Sequence, residues 1–337
     1  MTSAQPTQIP QEMPALVRRR YGPPEVVMLE TRPVPRPKRN EVLLRVHAAS
    51  VNTADWRLRA GAFPGILAVP ARAMFGILRP RNPYIGTEFA GEVVAVGQDV
   101  SRFRPGDRVF GIAQAGGASA GYLAVPQDGP IAEIPARLDY AQAAALPFGG
   151  LCALCFLADF ARLGAAQRLL VIGASGGVGI YAVQIGKALG AEVTGVCGSA
   201  NIDFIRDLGA DHQIAHDLVR QDAWPGGQDV ILDTIGLLAP TAARRLLAPG
   251  GQFFPLNFGL REFGAAFANP FRARKTRIAT SPDRAEDLQR LVQMVEAGQF
   301  TPVIGHRFAL AQAQDAHRLV ETRHRRGAVV LDVSAPD

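Results

Sequence analysis

The stretch RLLVIGASGGVGIYAVQIGKALGAEVTGV, residues 168–196, decides the fold of this chain. Its first apolar run ends at Ile172, and glycines then crowd the turn before a helical pattern begins. A second apolar run, EVTGV, follows at the spacing of a strand–helix–strand unit. Glycines at such a turn let backbone N–H groups approach a pyrophosphate, and the helix N-terminus adds partial positive charge. The pattern predicts a dinucleotide site, and a purely structural turn is the alternative.

Seven consecutive residues form this predicted cofactor turn. They are Gly173, Ala174, Ser175, Gly176, Gly177, Val178 and Gly179. Beyond the turn, apolar strands alternate with amphipathic helices, which predicts a parallel sheet covered on both faces. Before it, short alternating strands without helical periodicity predict a compact β-barrel-like unit. Residues 60–84 are long for a connection, so they are expected to form a substrate-facing lid or a mobile loop.

Length and composition narrow the class of protein. A chain of 337 residues is expected to hold two domains, and no apolar run is long enough to span a bilayer. The polar, Pro-rich start lacks the order of a secretory signal, which predicts a short frayed leader on a cytoplasmic protein. The net charge is +6, but the basic residues are scattered, which favours a solvated surface over a nucleic-acid interface.

The three cysteines are expected to be reduced thiols. Their number is odd, and no secretory signal accompanies them. Cys152 and Cys155 lie inside the apolar run GGLCALCFLADF, so buried packing is the preferred interpretation over a redox or metal-binding pair.

The residues that follow the second strand indicate whether NADH or NADPH binds. NAD sites commonly place an acid about 20 residues past the glycines to accept from the ribose 2′-OH. In this chain no acid follows that strand before Asp203. Ser199 and Asn201 can hydrogen-bond a 2′-phosphate and nothing there is expected to repel one, which favours NADPH. We call the segment directly after this strand, residues 198–201, the ribose corner. It contains no Arg or Lys, so Arg220 or the cluster at 272–277 is expected to supply positive charge there.

Four segments together resemble the medium-chain dehydrogenase/reductase superfamily. They are SVNTADW (50–56), IGTEFAGEVVAVGQDVSRFRPGDRVFG (85–111), the cofactor turn, and the tail AHRLVETRHRRGAVVLDV (316–333). Within the superfamily the chain is similar to the zinc-free, quinone-oxidoreductase-like branch. The resemblance, taken over these segments in their order along the chain, covers nearly the whole chain. It identifies the superfamily far more specifically than any one motif does.

The resemblance implies an α/β fold with two domains. A GroES-like β-barrel catalytic domain is interrupted by a Rossmann domain with a doubly wound parallel sheet, and the active site lies in the cleft between them. On this basis we expect a catalytic domain over residues 1–137, the dinucleotide-binding domain over 138–281, and a return to the catalytic domain over 282–337. The resemblance also implies a homodimer.

Zinc is not expected. Zinc dehydrogenases of this superfamily have a Cys where this chain has Asn52, and a His where it has Thr87. Their third ligand falls near PFGG (147–150), where neither residue type is aligned. A catalytic zinc needs three protein ligands and an open position. Without that Lewis acid, the favoured substrates are acceptors that take hydride readily, namely quinones and α,β-unsaturated carbonyls.

Four more residues are candidates for the site, each with a structural alternative. Asn52 is predicted to donate its amide to a substrate carbonyl or to bond its own turn, and Asp55 to brace the same loop. By resemblance, Asp233 lies near the cofactor cleft, although it can equally order its turn. Asn257 lies where the family contacts the nicotinamide.

The predicted function is hydride transfer from NADPH to a small-molecule electron acceptor. A second enzymatic hypothesis is another zinc-free reductase of the same fold, acting on haloacrylates or lipid-derived ketols. A third hypothesis is a non-catalytic protein that senses dinucleotides or binds nucleic acid. The glycine turn favours cofactor binding under all three.

Overall fold

The computed structural model describes residues 9–63, 65 and 68–333, and the leader predicted for the first residues lies largely outside this part. Two large sheets organise the chain. A seven-stranded sheet, in the order β14-β15-β3-β4-β5-β7 with β6 also paired to β3, holds the first third of the chain and its tail. A small antiparallel sheet of β1 and β2 accompanies it. The strands are β1 (Glu12–Val17), β2 (Met28–Pro33), β3 (Glu41–Ser50), β4 (Glu88–Val96), β5 (Arg108–Ile112), β6 (Tyr122–Pro126), β7 (Ile131–Glu133), β14 (Ile304–Ala309) and β15 (Ala328–Asp332).

The second sheet has six parallel strands in the order β10-β9-β8-β11-β12-β13. This order places β8, which precedes the glycine turn, in the middle of the sheet between β9 and β11. The strands are β8 (Arg168–Ile172), β9 (Glu192–Cys197), β10 (His212–Ala215), β11 (Gln228–Asp233), β12 (Leu247–Pro255) and β13 (Lys275–Thr276). The sheet confirms the predicted Rossmann-type half of the α/β fold.

Ten α-helices occur in the described part of the chain. They are α1 (Thr53–Ala60), α2 (Ala68–Phe75), α3 (Tyr140–Ala145), α4 (Pro147–Leu154), α5 (Gly179–Ala188), α6 (Ile202–Asp207), α7 (Pro240–Leu246), α8 (Leu260–Phe267), α9 (Ala285–Glu296) and α10 (Ala313–Thr322). None of them is long and apolar enough to cross a membrane.

Strand β8 shows why the apolar run folds as it does. Leu169 and Val171 point into one buried cluster, which also contains residues of α4 and α5. Leu170 and Ile172 point into a second cluster on the opposite face of the sheet, with residues of α7. Successive side chains of a strand face opposite sides, so a strand covered on both faces must be apolar throughout.

The chain returns to its first sheet at the end. Strand β15 pairs antiparallel with β3, so that Val330 lies opposite Ser50. Helix α3 lies within the range predicted for the dinucleotide-binding domain, yet it packs against β3, β4 and β15 of the first sheet. We call the first sheet with its helices the catalytic unit and the second the nucleotide unit.

The long connection at residues 60–84 contains a helix as well as turns. Helix α2 occupies its middle, and the ring of Phe75 at its end stacks on Phe63 at 5.6 Å. The guanidinium of Arg72 lies over the ring of Tyr21 at 4.3 Å. The contact of Arg72 with Tyr21 attaches the segment to the catalytic unit, and the predicted role of the segment as a lid stays a prediction.

Candidate active site

The glycine turn joins β8 to α5 with little space to spare. Gly173 has a φ of 78°, in the left-handed region that favours glycine. A Cβ on Gly179 would lie 2.7 Å from the Ala174 Cα, so the first residue of α5 must also be glycine. No side chain caps the N-terminus of α5 at Val178. The unbonded N–H groups and the partial positive charge of this helix end form a potential anion site.

A cleft opens in front of this turn. Its lining comes from both units and includes residues 176–178, Thr234, Asn257, Thr53 and Arg325. The structure therefore brings four predicted cofactor residues, namely 176–178 and Asn257, to one cleft between the two units. The remaining residues of the turn, 173–175 and 179, form its backbone support.

Arg325 in the tail of the catalytic unit faces the glycine turn. Its Nη2 lies 3.2 Å from the position that a Cβ of Gly177 would take. The side chain donates only two long hydrogen bonds, to the Thr53 hydroxyl at 3.4 Å and to the Val320 carbonyl at 3.5 Å. Burial lowers its pKa to about 10, which leaves it cationic at neutral pH. A weakly bonded guanidinium beside an open helix N-terminus suits a pyrophosphate.

Ser199 lies just after β9, as predicted, but it is already paired with an acid. Its backbone N–H and its hydroxyl donate to the two carboxylate oxygens of Asp217 at 2.8 and 2.7 Å. These hydrogen bonds lower the pKa of Asp217, which is therefore ionised at neutral pH. The expectation that nothing at this corner repels a phosphate is corrected, because Asp217 arrives there from the segment after β10.

Asn201 lies next to the glycine turn and contacts an arginine that was not predicted. Its amide nitrogen donates to the Ser175 hydroxyl at 3.4 Å, and its oxygen accepts from Arg326 Nε at 2.9 Å. Arg326, in the tail, supplies the positive charge at this corner in place of the two predicted sources. Arg220 pairs with Asp222 at 3.0 Å instead.

The predicted cluster at residues 272–277 lies elsewhere. Arg272 and Arg274 line an open cavity with Arg244 and Arg245. That cavity is separate from the cleft in front of the glycine turn.

Asp233, at the end of β11, is fully buried. Its carboxylate accepts hydrogen bonds from the backbone N–H groups of Ile235, Gly236 and Leu238 at 3.1, 2.7 and 2.8 Å. Burial raises its pKa in spite of these bonds. The contacts order the turn that carries Thr234 into the cleft lining, and a direct contact of Asp233 with the cofactor stays a prediction.

Asn257 links the two units. Its amide nitrogen donates to the Thr234 carbonyl at 3.1 Å, and its oxygen accepts a short hydrogen bond from Arg57 on α1. The side chain therefore holds the ends of β11 and β12 together and faces the catalytic unit.

Asn52 caps helix α1, and both polar atoms of its side chain are hydrogen-bonded. Its oxygen accepts from the N–H groups of Ala54 and Asp55 at 2.7 and 3.1 Å. Its amide nitrogen donates to the Thr87 hydroxyl at 3.1 Å and to Glu88 Oε2 at 2.7 Å. Donation to a substrate carbonyl stays a prediction, and it requires one of the last two bonds to be given up.

Two buried carboxyls lie beneath Asn52. Asp55 accepts from the Asn52 backbone N–H at 3.0 Å, which completes the capping box, and burial raises its pKa to about 6. Glu88 accepts from the Phe148 N–H at 2.6 Å and from the Ser50 hydroxyl, and burial raises its pKa to about 7. Asp55 thus braces the loop that carries Asn52, and Glu88 supports the amide of Asn52 directly.

The residues that meet here do not fit a catalytic zinc. Asn52 and Thr87 do come together, as expected for the two ligand positions, but neither offers a thiolate or an imidazole. Zinc sites in proteins rely on such ligands together with carboxylates, and the two carboxyls in contact with this pair, Glu88 and Asp55, already accept hydrogen bonds from Asn52.

In the described part of the chain, one group of three potential metal ligands occurs away from the cleft, formed by Cys155, Asp159 and Asp287. Arg290 already pairs with both aspartates at 3.0 Å. Cys155 is buried, which raises its pKa to about 12, and burial also raises the pKa of Cys152. Both thiols are therefore protonated at neutral pH.

Comparison with known proteins identifies the family. Residues 38–136 match the family model described as alcohol dehydrogenase GroES-like domain, and residues 208–331 match the model described as zinc-binding dehydrogenase. The chain belongs to the medium-chain dehydrogenase/reductase superfamily, in its quinone-oxidoreductase-like branch. It is an oxidoreductase of this superfamily, whose members take a nicotinamide dinucleotide as cofactor. The predicted fold class and resemblance are confirmed.

Three relatives show how far the similarity extends. The quinone oxidoreductase of Sus scrofa is 32% identical over 332 residues, which cover 93% of this chain and 95% of the relative. The chloroplast envelope quinone oxidoreductase homolog of Arabidopsis thaliana is 32% identical over 314 residues, covering 89% and 92%. The solved structure of the quinone oxidoreductase from Coxiella burnetii superposes with a TM-score of 0.85 at 29% identity, covering 96% of this chain and all of that one.

Four residues around the cleft were missed from the sequence: Glu88, Asp217, Arg325 and Arg326. Glu88 stands beside Thr87 in a motif that was examined only for zinc ligands. The two arginines stand in the tail motif HRRG (324–327), which contributes only to the resemblance in the sequence. Nothing in the local sequence around Asp217 marks it, because its role depends on the strand order that places β10 beside β9.

Proposed function

We propose that this protein transfers a hydride from NADPH to a quinone or an α,β-unsaturated carbonyl without the help of zinc. One observation carries the proposal. The uncapped helix end at the glycine turn and the Arg325 guanidinium line one cleft, while Asn52 and Thr87, the residues at two ligand positions of zinc relatives, are hydrogen-bonded to each other.

The cofactor would be held along this cleft by both units. The N–H groups of Gly177 and Val178 and the guanidinium of Arg325 suit the pyrophosphate, while the N–H of Gly176 donates to the Gly173 carbonyl at 3.0 Å. Asn201 suits the adenine-side ribose, and Thr234 and Asn257 suit the nicotinamide end. When bound, NADPH supplies the hydride, and the organic chemistry of the transfer belongs to the cofactor.

The chain's own residues orient the acceptor and exclude water. Asn52 is the polar donor proposed for the acceptor carbonyl, and it is held rigid by Thr87 and Glu88. Glu88, buried beneath it, has its pKa raised to about 7 and keeps charge away from the hydrogen-bonded amide when protonated. Both candidate carboxyls are buried, so solvent is proposed to protonate the product. Positioning of this kind contributes much of the rate when the acceptor is intrinsically reactive.

The test is steady-state oxidation of NADPH with a panel of quinones, enones, haloacrylates and ketols, with NADH run alongside. We expect turnover with quinones or enones and a higher kcat/KM for NADPH. Turnover with haloacrylates or ketols alone would move the protein to the second enzymatic hypothesis. Binding of NADPH without turnover of any acceptor would instead favour a non-catalytic dinucleotide sensor.

We further propose that the protein is a homodimer, on the resemblance alone, and that it acts in the cytoplasm, as expected from its sequence. Light scattering on purified protein tests the first point, and the localisation of a tagged chain tests the second.

A further inference from the structure

We propose that Arg326 receives the 2′-phosphate of NADPH and, with Asp217 opposing it, decides the preference between NADPH and NADH. The inference rests on the proposed function, because it concerns the cofactor that this function requires. Arg326 lies outside the nucleotide unit and more than a hundred residues along the chain from the ribose corner that it contacts.

Arg326 is held at the ribose corner by neutral partners. Its Nε donates to the Asn201 side-chain oxygen at 2.9 Å, and its Nη2 donates to the Ala200 carbonyl at 2.9 Å. The guanidinium lies 5.2 Å from the ring centre of Phe204. Within the described part of the chain no carboxylate pairs with it, so its charge is available to an anion. A planar guanidinium can bind two phosphate oxygens at once.

The backbone fixes where this side chain can reach. The next residue, Gly327, donates its N–H to the Ser175 carbonyl at 2.9 Å, which attaches the tail to the glycine turn. Gly327 has a φ of 67°, and a Cβ there would lie 2.7 Å from the Val303 carbonyl oxygen. Arg326 is therefore presented beside the nucleotide path by a segment that has little freedom.

Asp217 acts in the opposite direction at the same corner. It is exposed and ionised, and both of its oxygens accept from Ser199. Burial raises the pKa of the Cys197 thiol at the end of β9; Asp217 raises it further and Arg326 lowers it, so both charges act at this strand end. A 2′-phosphate entering the corner meets repulsion from Asp217 and attraction from Arg326. The balance between the two sets the selectivity.

Other basic residues near this corner are already paired. Arg206, on α6, pairs with Asp203 at 2.7 Å, and Arg220 pairs with Asp222 at 3.0 Å. Arg326 is thus the arginine at this corner without a carboxylate partner among the described residues.

The test uses two fragments that differ only by the 2′-phosphate. 2′,5′-ADP and 5′-AMP are titrated against the full chain by calorimetry. We expect the wild type to bind 2′,5′-ADP more tightly. Arg326→Gln should weaken 2′,5′-ADP by about ten- to a hundredfold and leave 5′-AMP unchanged, because a charge-assisted bond to phosphate is lost. Arg326→Lys should retain part of the affinity, and Asp217→Asn should increase it.

The matched control is Arg206→Gln, which removes the same charge from an exposed position on the neighbouring helix. It should change the 2′,5′-ADP affinity by less than about fivefold, since exposed charges act weakly. Unchanged affinity for 5′-AMP also shows that each variant is folded.

Two results would overturn the proposal in distinguishable ways. If the wild type favours 2′,5′-ADP but Arg326→Gln does so equally, the assignment of Arg326 fails and the NADPH proposal stands. If the wild type binds the two fragments equally, the choice of NADPH itself fails, and with it the role of Arg326.

Discussion

The backbone N–H of Gly327 donates to the Ser175 carbonyl across 2.9 Å and joins the tail of the catalytic unit to the glycine turn of the nucleotide unit. The two residues before Gly327 lie beside the proposed cofactor path. Arg325 is next to Gly177, and Arg326 is hydrogen-bonded to Asn201. Cofactor binding therefore depends on both units, and the variants below separate their contributions.

Gly177→Asp should abolish dinucleotide binding. The new side chain starts 3.2 Å from Arg325 Nη2, so its carboxylate pairs with that arginine and occupies the place of the pyrophosphate. We expect the affinity for NADPH to fall by more than about tenfold, from the lost charge-assisted bond and the added repulsion. Fluorescence titration measures the affinity and thermal unfolding measures the stability.

Gly198→Ala is the control for that change. Gly198 lies near the same site with a φ of −70°, and a Cβ there meets nothing within 4 Å. It should keep both affinity and Tm. Near-native NADPH affinity in Gly177→Asp would mean that the glycine turn is only structural.

The purified protein should carry no stoichiometric zinc and keep its activity in strong chelator. The reason is the pair of Asn52 and Thr87, hydrogen-bonded to each other where two ligands would stand. Elemental analysis measures the metal content. One tightly bound zinc per chain, lost together with activity, would refute the prediction.

Asn52→Ala should destabilise the protein and lower kcat. Loss of the helix cap alone costs about 1–2 kcal/mol, and Glu88 loses a buried donor as well. If the amide also reaches the acceptor carbonyl, kcat falls while the KM for NADPH stays the same. Urea unfolding and steady-state kinetics measure the two effects.

Asp139→Ala is the matched control for the cap. Asp139 caps α3 through a similar capping box, and it is not among the residues that line the cleft. It should lower stability without lowering kcat. If Asn52→Ala has the same kinetic profile as Asp139→Ala, Asn52 is a positioning residue only.

Between pH 5 and pH 8 the wild type should lose stability relative to Glu88→Gln, because only the wild type carries the Glu88 carboxyl. Burial raises the pKa of Glu88 to about 7 in the folded state, so the folded chain holds a proton that the unfolded chain releases near its ordinary pKa. Stability from this group is complete below the unfolded pKa and is lost as the pH passes 7. The loss amounts to roughly 3 kcal/mol.

Urea unfolding of both proteins at pH 5 and pH 8 measures this difference. The stability at pH 8 relative to that at pH 5 should be higher in Glu88→Gln than in the wild type. Burial raises the pKa of Asp55 to about 6, so Asp55 also lowers the stability as the pH rises, but by less than Glu88 does. Asp55 is present in both proteins, so its effect is the same in both. An unchanged pH dependence in Glu88→Gln would show that Glu88 ionises normally.

The parts of the fold that were predictable are those with local causes. The strand, glycine turn and helix at 168–188 follow from a continuous apolar run, four glycines and helical periodicity within one short segment. Burial of β8 on both faces explains why that run has no polar residue after Arg168. Helix α2 was not anticipated, because Pro and Gly residues in that segment obscure its periodicity.

The parts of the site that could not be predicted depend on distant segments. Asp217 meets Ser199 because two strands are neighbours in the sheet, and Arg326 meets Asn201 because the tail crosses between the units. The raised pKa of Glu88 depends on burial, which no local pattern displays. The charged residues that meet at the ribose corner can therefore be identified only from the tertiary structure.

The pairing of β15 with β3 has a consequence for synthesis of the chain. Val330 completes the sheet beside Ser50, so the edge of β3 at 48–50 stays open on the nascent chain until β15 has been synthesised. An unpaired strand edge is prone to join other chains. Premature termination anywhere before β14 should thus yield an aggregating product, and it would also lack both tail arginines. Synthesis of β15 sets the moment at which the protein can both close its sheet and hold its cofactor.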